Sequence, residues 1–488
     1  MVQLPIILGL SLYVLLTLLV GLYAGQRVKA SADFIVAGRR LGILLATGTL
    51  AATWFGGGIV IGAASEAYKH GFLGVIADPF GAALCLFLAG LFYVRILRRM
   101  GLTTIAGFFE IRFGKQAGLI AALCTIPAYV GWVASLMVAL GRVIQSLIGL
   151  HPTLGICIGA AIVLVYTAAG GMWAVTLTDF LQVAVLTLGL VVIAPLLIQD
   201  MGGWSAVRMQ ISDDRFYLYP RNADFAAWFN YARDWLVIGL GNLAGQDLIQ
   251  RSLSSRNESV AQNSAYLAGL LYVTVGLLPV FLGIAGAIIF PDLADPDLVM
   301  MKLGMKYLSP IGVAVFIGAL VSALMSSADS ALLAPASVIG WDLVRYFRPH
   351  MEERRILQIC RWSVPVLGLA ALYLALAHNT VYALMVDSWS ILLATLFVPL
   401  TAGIWWPRAN TPGALASMGA GLIAWLLLLR AAPNLPADLL AVPVALICLV
   451  LVSLATSRTT PPRPLADASG SPLAFQDRLG LRSGSSVL

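Results

Sequence analysis

Stretches of about 20 mostly apolar residues, the length of helix that crosses the hydrocarbon of a bilayer, recur along this chain with little between them. Thirteen can be marked, at 4–24, 42–66, 72–94, 117–147, 153–169, 177–198, 228–246, 264–290, 309–338, 357–376, 383–406, 412–430 and 437–456. The composition leaves them no other use. Of 488 residues 60% are apolar and 11% charged, where a soluble domain carries about 25% charged residues, and mean hydropathy is +0.91. Too few charges exist to coat a surface of this size in water. That excludes a soluble enzyme, a nucleic-acid binder and a disordered scaffold. A lone strand in lipid would leave its backbone groups unpaired, so the spans are expected to be helices. The expectation is an all-α integral membrane protein of about 13 transmembrane helices.

Charge placement orients the map. The formal charge is +7, from 30 basic and 23 acidic residues, with no run of five basic residues. With the N-terminus outside, most of the lysines and arginines collect on the cytoplasmic side, among them Arg27, Lys29, Arg39, Arg40, Arg95, Arg98, Arg99, Arg251, Arg256, Arg354 and Arg355. This bias predicts N-terminus outside and C-terminus inside. The opening MVQLPIILGL has no basic segment and no small-residue cleavage site, so the first span is expected to be retained. Residues 1–457 read as one polytopic membrane domain and 458–488, rich in Pro and Ser, as a disordered cytoplasmic tail. Short loops point to a bacterial inner membrane. The five cysteines, odd in number and lacking metal-ligand spacing, read as small hydrophobes. The four histidines form no metal site or triad, and no phosphate-binding glycine loop exists for ATP to drive the protein directly.

The apolar pattern breaks in three places. The second span contains Trp54-Phe55-Gly56-Gly57-Gly58, and three glycines in mid-membrane cost a helix roughly 1 kcal/mol each against Ala. Unwound backbone at that depth is tolerated where it lines a cavity or is buried in protein; close helix packing is the competing reading. The seventh span contains Gly239-Leu240-Gly241-Asn242, then Gly245-Gln246-Asp247. The two breaks stand five spans apart, as broken helices do in transporters built of two inverted five-helix repeats. The third break is chemical: Ser326, Ser327, Asp329 and Ser330 lie inside the ninth span. A charge there is expensive, so an ion or substrate pathway is the default reading, and adjacent hydroxyls suit a small hard cation, Na+ or H+. Back-bonding of the serines to the helix is the bland alternative.

At these residues the chain resembles the sodium:solute symporter family. Gly170-Gly171-Met172-Trp173 through Thr178-Asp179-Phe180 is similar to the family's central signature, and Gln246-Asp247 with Gln250-Arg251 to another recurring stretch. The resemblance spans about residues 5–455 and is nearest the high-affinity choline transporter branch, through Ala52-Thr53-Trp54-Phe55-Gly56 and Ala323-Leu324-Met325-Ser326-Ser327. It implies the leucine-transporter-type fold, with inverted repeats at about 42–198 and 228–406 flanked by helices 4–24, 412–430 and 437–456. It also implies a sodium site made of the carbonyls of Ala52, Phe55 and Ala323 and the hydroxyls of Ser326 and Ser327. For the solute it implies Trp54 and Trp132, with Gly56 and Gly245 beside them. The branch encloses a quaternary ammonium in aromatic rings, but here Gly245 and Ala82 stand where a tryptophan and a tyrosine are expected. No charged group in the presumed pocket selects the sign of the solute.

Asp179 is placed by the resemblance near the inner exit of the sodium path, or else serves as a helix N-terminal carboxylate. Asp329 reads as a second-cation site, a proton site or the partner of a base. The function expected is Na+-coupled symport of a small organic solute (an amine or quaternary ammonium, an amino acid, a carboxylate or a vitamin) into the cell by alternating access. Na+ is the coupling ion. The partners are the solute and the bilayer, with no nucleic acid and no obligatory protein partner. Proton coupling through Asp329 is the alternative, and a solute sensor a weaker one.

Overall fold

A computed structural model describes residues 11, 12, 15, 16, 19, 20, 23–26, 28–148, 151–221, 224–377, 381–432, 435–467, 471 and 473. Among them the chain is helical, and the nearest approach to a strand is a parallel bridge between Leu41 and Ser255. Helix starts follow their caps. Asp224 accepts from the N–H of Ala227, Asn257 from Val260, Ser309 from Gly312 and Asn410 from Gly413, each at 2.8–3.2 Å. Each satisfies a donor that a helix N-terminus leaves over, and prolines at 310 and 412 occupy first-turn positions where the missing N–H costs nothing.

Helices stand at every expected span from the second onward; the first, 4–24, falls mostly outside the described residues. By length and apolar character nine helices among the described residues can cross a membrane. The second span is interrupted. Helix α1 (Ile43–Trp54) ends, Phe55 and Gly56 leave helical geometry, and the chain resumes through 57–63 into α2 (Ala64–His70). The third span follows as α3 (Ala82–Phe92) and the fourth as the long α4 (Lys115–Ile148). The fifth and sixth form one helical stretch, α5 (Pro152–Asp200), folded at Gly171, where φ is 55° and ψ −157°. The seventh is likewise broken: α6 (Phe225–Gly241) and a short turn lead to Gly245 in extended conformation, and α7 (Gln246–Ser254) follows.

The ninth span, α8 (Pro310–Val338), is the axis of the molecule: 83% of its most apolar stretch is buried, and it packs on α4 and α5. By contrast Leu188, Val366, Leu369, Tyr373, Leu427 and Leu451 turn their side chains outward from peripheral helices, as lipid-facing residues do. The last two helices, α9 (Thr411–Ala431) and α10 (Ala437–Ala455), pair with each other.

In the segment after 457, residues 458, 459 and 461–464 are exposed while Leu465 and Ala466 are buried, and the carbonyl of Arg463 accepts from the guanidinium of Arg112 at 2.6 Å. That guanidinium also donates to the carbonyls of Gly403 and Trp406, so a buried cation recruits the segment as one of its acceptors. Beyond 467 only Ser471 and Leu473 lie within the described residues. Arg251, grouped above with the cytoplasmic charges, is 1% exposed and among the largest fully buried side chains of the protein.

Candidate functional site

The interruption at Phe55–Gly56 lies against the middle of α8. A Cβ added to Gly56 would collide with Ser327 Oγ and lie 2.6 Å from the carbonyl oxygen of Ala323. Only a glycine lets the unwound backbone approach this closely. At the end of α1 the N–H of Phe55 takes the carbonyl of Ala51 at 2.9 Å. The carbonyls of Ala52 and Phe55 therefore belong to the stretch where a helix end leaves acceptors without i+4 donors. Ser326 and Ser327 are each 1% exposed. The Ser327 hydroxyl is buried without a hydrogen-bond partner among the described residues, a costly condition for a polar group.

Ser326 behaves differently. Its hydroxyl donates to Asp179 Oδ1, and Thr49 donates to Oδ2 at 2.6 Å. With its proton given to Asp179, the Ser326 oxygen keeps its lone pairs for a cation. Asp179 is wholly buried and also pairs with Arg251 at 3.7 Å. Arg251 donates to the carbonyls of Thr49 (3.1 Å) and Asp247 (3.2 Å) and to the Ser330 hydroxyl, which in turn donates to Asp329 Oδ1 at 3.0 Å. Asp179 and Asp329 are thus two ends of one buried polar network centred on Arg251, and Asp179 adjoins the paired serines.

A second cluster ties the two broken helices. Trp54 Nε1–H donates to Asp247 Oδ2 at 2.7 Å, Tyr129 donates to Oδ1, and the N–H of Asp247 donates back to the Tyr129 hydroxyl at 2.9 Å. Asp247 sits in the first turn of α7, where a carboxylate favours the helix dipole.

Beside this cluster is a small cavity. Three indoles line it, Trp54, Trp132 and Trp389, and the last two have ring centroids 4.9 Å apart. Asp78, Asn242 and Ser327 supply its polar atoms. Of the expected solute residues, Trp54 and Trp132 line the cavity while Gly56 and Gly245 do not. Gly245 is pressed against the side chains of Asn242 and Asp247, leaving no room for the tryptophan expected there. Trp389, from the helix Val381–Leu392, provides the third indole instead. The sequence reading missed Trp389, Asn242 and Asp78, and its expectation that no charged group faces the cavity is corrected by Asp78. The signal was available for Asp78, an ionisable residue within an expected span, as it was for Asp329.

The sequence profile of the sodium:solute symporter family matches residues 34–421, and the chain belongs to that family. It is 29% identical over 443 residues to the high affinity choline transporter 1 of Homo sapiens, covering 85% of this chain and 75% of that protein. It is 27% identical over 445 residues to the sodium/pantothenate symporter of Escherichia coli (strain K12), covering 87% and 91%. Among solved structures, the substrate-bound outward-open state of a Na+-coupled sialic acid symporter superposes with a TM-score of 0.80 at 20% identity, over 95% of this chain and 99% of that one. The nucleobase-cation-symport-1 family transporter Mhp1, in a closed conformation, gives 0.60 at 14% identity over 92% and 99%. The protein is a multi-pass membrane transporter of the sodium-coupled symporter class and not an enzyme.

Proposed function

We propose that the chain moves one small organic solute into the cell together with Na+, by alternating access. Na+ is held by the carbonyls of Ala52, Phe55 and Ala323 and the hydroxyls of Ser326 and Ser327. Asp179 orients the Ser326 hydroxyl from behind, as an outer partner fixes a ligand. The solute occupies the cavity of Trp54, Trp132 and Trp389. The observation that carries this reading is the Ser327 hydroxyl: buried, unpartnered among the described residues, against the Gly56 backbone, and at the same time part of the cavity wall. Na+ bound there favours the conformation in which the solute fits, and by linkage the solute favours Na+ equally. The membrane potential adds about 2.3 kcal/mol per charge per 100 mV to uptake.

The reading places thirteen helices across the bilayer, N-terminus outside and C-terminus inside, with repeats at 42–198 and 228–406, in a bacterial inner membrane. The test is uptake into proteoliposomes at fixed pH with Na+ replaced by K+. Accumulation above the bath concentration that disappears in K+ supports Na+ symport. Accumulation that persists in K+ and follows a proton gradient replaces it with proton coupling, for which the buried Asp329 is the candidate.

A further inference from the structure

Asp78 is the one acidic side chain among the residues lining the cavity. It is 6% exposed, and its Oδ1 is buried with no hydrogen-bond partner among the described residues. Oδ2 faces Gly58, where a Cβ would come within 2.8 Å of it, so the glycine backbone makes room for the carboxylate. The rest of the wall is three indoles, Met385, Ile238 and Ala82, with the amide of Asn242, whose Oδ1 and Nδ2 are likewise buried and unpartnered among the described residues, and the hydroxyl of Ser327. The neighbouring buried carboxylates have donors: Asp179 has Ser326, Thr49 and Arg251, and Asp247 has Trp54 and Tyr129. A carboxylate in the surroundings of Asp78 is costly unless a cation or a donor meets it. Indole faces attract cations and give an anion nothing.

We propose that the transported solute is a small protonated amine. It bears at least one N–H, which donates to Asp78 Oδ1 while the indoles of Trp54, Trp132 and Trp389 enclose the ammonium. A second polar group of the solute pairs with Asn242. This rests on the reading of the cavity as the solute site and narrows the solute classes left open above to one. A quaternary ammonium satisfies the indoles and the charge but leaves Oδ1 without its donor; an anion satisfies neither.

The test is thermal unfolding of the purified full-length protein, in Na+ and in K+, with three probes: ethanolamine (a primary amine), choline (the same skeleton without N–H) and pantothenate (an anion). Ethanolamine is expected to raise the unfolding temperature in Na+ and pantothenate to leave it unchanged. Asp78→Asn is expected to weaken ethanolamine at least about tenfold, the scale of a lost charged hydrogen bond, and choline by less. The stabilisation by Na+ alone remains in Asp78→Asn and reports that the variant is folded, and Asp78→Glu recovers part of the ethanolamine response. No stabilisation by ethanolamine, stabilisation by pantothenate, or an equal ethanolamine response in wild type and Asp78→Asn would each overturn the proposal. An ethanolamine response that is lost in Asp78→Asn but identical in Na+ and K+ supports the amine site while removing the Na+-coupling reading, so the two fail separately.

Discussion

The indole N–H of Trp54 donates to the carboxylate of Asp247 at 2.7 Å, joining the last helical residue before one interruption to the second residue after the other. The two broken helices, 193 positions apart in sequence, are held at one point, and the same indole forms part of the cavity wall. A solute packed on Trp54, as proposed above, would act on the bond between the two interruptions.

Tyr129→Phe removes the hydroxyl that both donates to Asp247 and accepts its N–H. Tyr129 is not among the cavity residues, so the expected effect is on stability. A loss of about 1–3 kcal/mol, the cost of stranding buried hydrogen-bonding groups, should appear as a lowered unfolding temperature in detergent.

Ser326→Ala and Ser327→Ala should separate in the absence of Na+. The Ser327 hydroxyl has no partner among the described residues, so its removal should cost no stability in K+. Removing the Ser326 hydroxyl takes a donor from Asp179 and should destabilise the protein in K+ as well. Both should raise the Na+ concentration for half-maximal stabilisation by about tenfold or more, the scale of a lost contact to a charged group. An unchanged Na+ titration in either variant removes that serine from the sodium shell.

Gly56→Ala should abolish the Na+ response, because the added methyl enters the space between the broken helix, Ser327 and the Ala323 carbonyl. Gly171→Ala tests a different constraint. Its φ of +55° and a Cβ 2.5 Å from the Phe34 ring make the substitution strained and overpacked. The backbone part alone is expected to cost about 1–3 kcal/mol, read as lower folded yield and unfolding temperature with the Na+ response of the folded fraction retained.

Arg251→Met leaves Asp179 buried without its cation, an imbalance that costs about 3–5 kcal/mol. Combining it with Asp179→Asn should recover part of the loss, and the double-mutant cycle should give a coupling well outside additivity. Additive losses would mean the 3.7 Å pair contributes little.

Both interruptions were legible, because glycines crowded with polar residues weaken a helix exactly where lipid would otherwise reward an unbroken one. So were the serines and Asp329, since polar atoms inside a span are conspicuous one at a time. What could not be read was partnership. Nothing local indicates that Ser326 meets Asp179, 147 residues away, or that Trp389 faces Trp132. The burial of Arg251 could not be read either, because the charge rule counts cations without depth: a guanidinium with two carbonyls, a hydroxyl and a carboxylate around it reads in sequence like any other basic residue. Arg463 lies within, and Leu465 just after, a Pro-rich stretch whose composition signals disorder, and the carbonyl of Arg463 meets Arg112, 351 residues earlier.

Ser327 belongs to two compartments at once. In the proposed reading no partition separates the alkali ion from the organic cargo, so a chemical change at one is sensed directly by the other. A change of cargo preference that spares the proposed ion site would then fall on the far wall of the cavity, at Asp78, Trp389 and Asn242.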